Sequence, residues 1–122
     1  MNPDPQPTVL LVDAETHGRA VVLLVSGEID VMTASQLEES ALRALEDTPA
    51  VLVVDLSGVT FLASAGLAVL VGIRKAAAHT PTDVRFVAAA PATLRPLQLM
   101  GLDQDLALYP TRDEALTDAP PS

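Results

Sequence analysis

The chain has no cysteine and no tryptophan, and among its 122 residues only Phe61, Phe86 and Tyr109 are aromatic. Without cysteine there are no disulfides, thiolate metal sites or thiol nucleophiles, and the redox compartment is left open. Without large rings the core falls to Ala, Val and Leu, a composition that suits helices laid on a sheet. Basic residues are scarce too: seven Lys and Arg against sixteen Asp and Glu give a formal charge of −9, which repels nucleic-acid phosphates and anionic lipid at long range. Direct binding to nucleic acid is therefore not expected. The acidity is scattered and reads as solvated surface, with a basic protein partner still open. Nor is there a long apolar run, since Leu62 to Ile73 falls short of the ~18 residues of a membrane span. The opening MNPDPQPT carries no basic start followed by an apolar stretch, so no secretory leader is expected and the cytoplasm is the expected compartment.

What is present fits one domain over residues 9–117, with a proline-rich disordered lead at 1–8 and a disordered tail at 118–122. VLLVDAET and AVVLLVSGE, divided by His17-Gly18-Arg19, predict a hairpin of two antiparallel strands. Thr33-Ala-Ser-Gln36 has the pattern of a capping box, and Ala34, Leu37, Ala41, Ala44 and Leu45 share one face of the helix it would open, which Thr48-Pro49 stops. Val51 to Leu56, apolar on both parities except at Asp55, predicts a central strand buried on both sides. Ser57-Gly58-Val59-Thr60 reads as a turn leading to Ser64, where a deeply packed second helix begins and runs to about Ala78. Val84 to Ala88 predicts a strand. Pro91 to Met100 predicts a short helix closed by Gly101, and Thr93 as its N-cap would put Pro96 at the third helical position, where a missing N–H is harmless. Leu106 to Tyr109 predicts a last strand, and Thr111-Arg-Asp-Glu114 a capping box opening a terminal helix. The order predicts an α/β fold: a mixed sheet of about five strands with about four helices packed on it.

Ser64 stands where a buried strand hands over to a helix, with Gly66 two residues on. One reading makes it the N-cap, accepting from the N–H of Gly66 or Leu67. The other makes its hydroxyl a phosphoacceptor, because free N–H groups and the positive end of the helix dipole stabilise a dianion there. A hydrolase elbow is disfavoured: G-x-S-x-G would need glycine where Leu62 stands, and no acid lies between Ser64 and His79, so catalysis by this chain is not expected. His17 and His79 fall in surface turns. Asp30 and Asp55, near the ends of strands two and three, are expected at the same rim as Ser64. There they could support a Mg²⁺-assisted phosphotransfer surface or simply accept from local backbone N–H groups. No dedicated metal or cofactor site is expected.

The run Asp55 to Gly72, DLSGVTFLASAGLAVLVG, closely resembles the signature of the STAS domain as found in bacterial anti-sigma factor antagonists. Ser26-Gly-Glu-Ile-Asp30, Gly101-Leu-Asp103 and Thr111-Arg-Asp-Glu-Ala-Leu116 resemble further parts of that family, and the likeness covers roughly Val9 to Leu116. It implies a STAS-like fold and a non-enzymatic regulator. By motif position Ser64 is the residue phosphorylated by an anti-sigma factor that is also a serine kinase and binds the ATP. The unphosphorylated protein would bind that kinase and free a sigma factor, phosphorylation would release it, and a serine phosphatase would restore binding. The resemblance places the contact surface at Asp30, Ser57, Ala63, Ser64, Ala65 and Leu67. One departure is plain: Ala63 stands where the family commonly has aspartate, and Ala65 where a second serine often follows. This keeps a second expectation in play, a STAS interaction or scaffold module that works without a phosphorylation cycle.

Overall fold

A computed structural model describes residues 9–118; the lead expected at 1–8 and the last four residues of the expected tail lie outside the described residues. The chain folds as β1 (Leu10–His17), β2 (Ala20–Ile29), α1 (Ala34–Glu46), β3 (Val51–Leu62), α2 (Ser64–Ala77), β4 (Asp83–Val87), α3 (Pro91–Leu99), β5 (Leu108–Tyr109) and α4 (Arg112–Thr117). The strands lie in chain order in one sheet. The β1–β2 pair is the antiparallel hairpin, and β2–β3, β3–β4 and β4–β5 are parallel, so the mixed α/β sheet expected from the element order is what forms.

The apolar periods explain the layers. Leu23 and Val25 of β2, Leu52, Val54 and Leu56 of β3, and Val84 and Phe86 of β4 face one way and pack with Leu37, Ala41 and Leu45 of α1, Leu70 and Ile73 of α2 and Leu97 of α3. The alternate residues Val22, Val51, Val53 and Val87 face the other way and meet Ala115 of α4. Because β3 is covered on both sides, its residues 51–56 are all buried, as a central parallel strand requires.

Several local expectations are corrected. Ser57 to Thr60 is not a turn. β3 runs on to Leu62 and keeps pairing with β2 through Ser26↔Gly58 and Ile29↔Leu62, at the cost of register shifts on either side of Ser26 and Gly27; the extra residues are absorbed as bulges instead of a reversal. Thr33 does not cap α1 with its side chain. Its hydroxyl is turned back to the Glu28 carbonyl at 2.8 Å, while Asp30 Oδ1 accepts from the N–H groups of Met32 and Thr33 at 2.8 and 3.2 Å, so the Asp30 carboxylate braces the turn that leads into α1 and does not cap the helix itself. Gln36 completes no box, and its amide donates to the Leu10 carbonyl at 2.9 Å. In α3 the N-cap is Ala90, not Thr93, and Pro91 occupies the first turn, where a fixed φ and missing N–H cost nothing. Pro96 is consequently inside the helix, and the helix ends within one turn of it.

Candidate functional site

Ser64 is the first residue of α2, and Ala63 is the N-cap, without a side-chain hydrogen bond. The reading of Ser64 as the cap is thus corrected. The N–H groups of Gly66 and Leu67 are taken by the Ala63 carbonyl at 2.9 and 3.1 Å, and the exposed Ser64 hydroxyl makes no hydrogen bond among the described residues. It stands at the positive end of a 14-residue helix, the setting in which an added dianion is best tolerated.

The rim is held from below by close packing. The Ala63 N–H donates to the Ile29 carbonyl at 2.8 Å, and Ile29 pairs with Leu62 in the sheet, so Asp30 and Ser64 leave adjacent strand ends. A Cβ on Gly66 would come within 2.6 Å of both Ile29 Cγ2 and Leu62 Cδ1. The helix therefore rests on the ends of β2 and β3 at a separation that glycine alone permits without adjustment. Val31 and Met32, beside Asp30, are each 79 % exposed. No Lys or Arg occurs between Arg19 and Arg43 or between Arg43 and Arg74, so the chain segments that build this rim carry acidic and neutral groups alone.

Of the residues expected at the contact surface, the structure gathers Asp30, Ala63, Ser64 and Ala65 around the end of the sheet, with Ser64 exposed and the two alanines half-buried. Leu67 is one turn down α2 and lies in the apolar core. Ser57 is on the other face of the sheet. Its hydroxyl donates to Asp55 Oδ1 at 2.6 Å, and Asp55 Oδ2 accepts from Arg112 Nε of α4 at 3.1 Å. The expectation that Asp55 shares the rim with Ser64 is corrected for the same reason: β3 continues seven residues beyond it, and the carboxylate is turned under α4.

Sequence reasoning passed over two arginines. Arg112 was read as a position inside a capping box, and its ion pair with Asp55 is separated by 57 residues of chain. Arg85, 1 % exposed, bonds Asp83 Oδ2 at 2.9 Å and the carbonyls of Ala115 and Asp118 at 2.6 and 2.7 Å, and its guanidinium lies 5.7 Å from the centre of the Tyr109 ring. The available signal was a charged residue inside an apolar strand, which demands a buried partner. The Thr111 box does form on its first half, with Thr111 Oγ1 accepting from the Glu114 N–H at 3.1 Å. Among the described residues no group of three or more His, Cys, Asp or Glu is arranged to hold a metal ion, and no helix is long and apolar enough to cross a membrane.

A five-stranded mixed sheet with an antiparallel opening hairpin, and a serine standing free where the longest central strand passes into its helix, define a STAS module. A model of the STAS domain matches residues 12–115, and the chain belongs to that family. It is 40 % identical over 113 residues to the anti-sigma-F factor antagonist RsfB of Mycobacterium tuberculosis, covering 91 % of this chain and 90 % of that protein. The crystal structure of an anti-sigma factor antagonist from Mycobacterium paratuberculosis superposes with a TM-score of 0.85 at 42 % identity, covering 92 % of this chain and 95 % of the other. The Bacillus protein SpoIIAA in its unphosphorylated form shares the fold, with a TM-score of 0.68 at 20 % identity over 87 % of this chain and 93 % of its own.

Proposed function

We propose that this protein is a cytoplasmic anti-sigma factor antagonist whose Ser64 hydroxyl is the switch. In the unphosphorylated state the rim formed by Asp30, Ala63, Ser64 and Ala65 docks on an anti-sigma factor of the serine-kinase type, displacing a sigma factor. Phosphoryl transfer from ATP bound by that partner ends the complex, and a serine phosphatase resets it. The chain is then the substrate of the transfer and not its catalyst. The observation that carries the reading is the Ser64 hydroxyl itself, exposed, unbonded and first in α2. The kinship with antagonists at 40 % identity supplies the partner class.

The expected size of the switch follows from charge. A phosphate adds about −1.5 to −2 charges, and a hundredfold loss of affinity needs only ~2.8 kcal/mol, within what one uncompensated charge at an interface supplies. Mass spectrometry after incubation with a kinase-type anti-sigma factor and Mg-ATP should show a gain of phosphate on wild type that fragment spectra locate at Ser64, while Ser64→Asp should bind that partner about a hundredfold more weakly. Equal binding of Ser64→Asp and wild type would refute the switch.

Ala63 and Ala65 favour a second reading, a STAS interaction or scaffold module that is bound but not phosphorylated, because apolar flanks suit a docking patch and place no carboxylate beside the hydroxyl. Stable binding to an active kinase with no gain in mass would select this reading.

A further inference from the structure

The only exposed serine or threonine among the described residues whose hydroxyl donates to a carboxylate is Ser57, not Ser64. Ser57 Oγ is 2.6 Å from Asp55 Oδ1, the Asp55 carboxylate is 2 % exposed, and its other oxygen is fixed by Arg112 Nε at 3.1 Å. A short bond of this kind, to an anion held in place by a cation, orients the hydroxyl proton toward its acceptor. Arg112 itself is 41 % exposed, and its Nη1 reaches Glu15 only at 4.0 Å, so the guanidinium keeps donors to spare. The hydroxyl opens into a cleft of about 180 Å³ bordered by Asp13, Ser26, Gly58 and Arg112, on the sheet face opposite α1 and α2. A nucleophile, a fixed base and a cation with free donors are the three parts that phosphoryl transfer to a hydroxyl uses.

We propose that Ser57 is a second phosphoacceptor, modified by a protein kinase from a nucleoside triphosphate and read out by α4. In the step, Ser57 Oγ bonds to the γ-phosphorus as its proton passes to Asp55 Oδ1. The bond from that phosphorus to the β–γ bridging oxygen breaks, and the nucleoside diphosphate leaves with the electron pair. Asp55 then returns the proton to water. The new dianion repels the Asp55 carboxylate and draws Arg112 off it, so the first residue of the six-residue α4 leaves its place over Asp55, while Arg85 and the Tyr109–Asp118 bond hold only the far end of the helix. The Ser64 rim on the far end of β3 is not required for this, so the proposal goes beyond the Ser64 switch and does not rest on it.

Two measurements test it. In the first, full-length wild type, Ser64→Ala and Ser57→Ala are incubated with Mg-ATP and a kinase-type anti-sigma factor that binds the chain, and the phosphate is located by fragment mass spectrometry. Ser57→Ala should fold, since Asp55 Oδ1 keeps the backbone N–H of residue 57 at 2.9 Å. Phosphate on Ser57 in the Ser64→Ala chain is expected. Phosphate confined to Ser64, with none in Ser64→Ala, overturns this proposal and leaves the Ser64 switch standing; phosphate on Ser57 alone does the reverse. In the second, phosphoserine is installed at position 57 by codon reassignment and amide exchange is followed. Exchange in α4 should quicken at least tenfold while α2 is unchanged, and an α4 as protected as in wild type overturns the readout.

Discussion

The two faces of the sheet are held by different forces. Beneath α1 and α2 lies a continuous apolar cluster that reaches from Leu10 to Leu106, so those helices are fixed by volume and by water excluded from it. On the other face α4 offers Ala115 as its one fully buried side chain, against Val22, Val51, Val53 and Val87, and so short a helix cannot be held by that area alone. Two arginines make up the difference: Arg112 ties its first residue to Asp55, and Arg85 binds its last carbonyls, where a cation also complements the helix dipole. A face held by volume is insensitive to charge, whereas a face held by ion pairs can be released by moving one charge. The Ser64 rim belongs to the first kind and Ser57 to the second.

Removing volume from the first face should cost most. Leu70→Ala empties a site at 0 % exposure in the middle of α2 and is expected to lower unfolding free energy by about 4 kcal/mol, measured by urea denaturation, with all amides losing protection together. Arg85→Met preserves most of the volume but leaves the Ala115 and Asp118 carbonyls and the Asp83 carboxylate without their donor. A loss of about 3 kcal/mol is expected, and exchange should show α4 opening before the sheet. If instead the whole chain unfolds as one unit in Arg85→Met, α4 is integral to the core and the contrast between the faces fails.

The rim gives a sharper comparison at smaller cost. Gly66→Ala drives a methyl to within 2.6 Å of Ile29 and Leu62, both buried, and should destabilise by about 2 kcal/mol through overpacking while weakening partner binding by tilting α2. Two residues away, Ser64→Ala removes a hydroxyl with no hydrogen bond and should change stability by less than about 0.5 kcal/mol. A large loss in Ser64→Ala would mean that the hydroxyl has a structural duty.

The order of nine elements was legible because the chain alternates period-two and helical patterns without interruption, and the place of Ser64 at the start of α2 was legible because a buried strand, a short polar stretch and a helix start converge on it. The places where the reading failed have a common physical cause. At Ser57–Thr60, turn-forming residues sit in a strand whose partner, β2, supplies hydrogen bonds that local propensity cannot foresee. At Thr33, the hydroxyl is engaged by the Glu28 carbonyl and the Asp30 N–H at the end of β2, contacts set by the strand that the local capping pattern does not show. At Thr93, the proline two residues earlier was the better start. The ties of Asp55 and Arg85 were invisible for another reason: an isolated charge in an apolar strand announces that a partner exists, but not which of the distant arginines or carbonyls it is.

The smallest expected effect probes the far end of α4 through pH. Tyr109 O–H donates to Asp118 Oδ2, and that bond, followed by partial burial, raises the phenol above its ordinary value near 10, although Arg85 opposes the shift. In the unfolded chain neither influence survives, so the unfolded phenol loses its proton first as pH rises. The folded state then holds more protons than the unfolded one, and stability must fall with rising pH. The contribution is complete below about pH 10 and is lost as pH climbs through the folded value. Absorbance titration of the single tyrosine should give a midpoint above that of the denatured protein, and Asp118→Asn should bring it down, since the substitution removes the negative charge and leaves only a neutral amide oxygen to accept from the phenol. A midpoint unmoved by Asp118→Asn would show that the end of α4 is held by Arg85 alone.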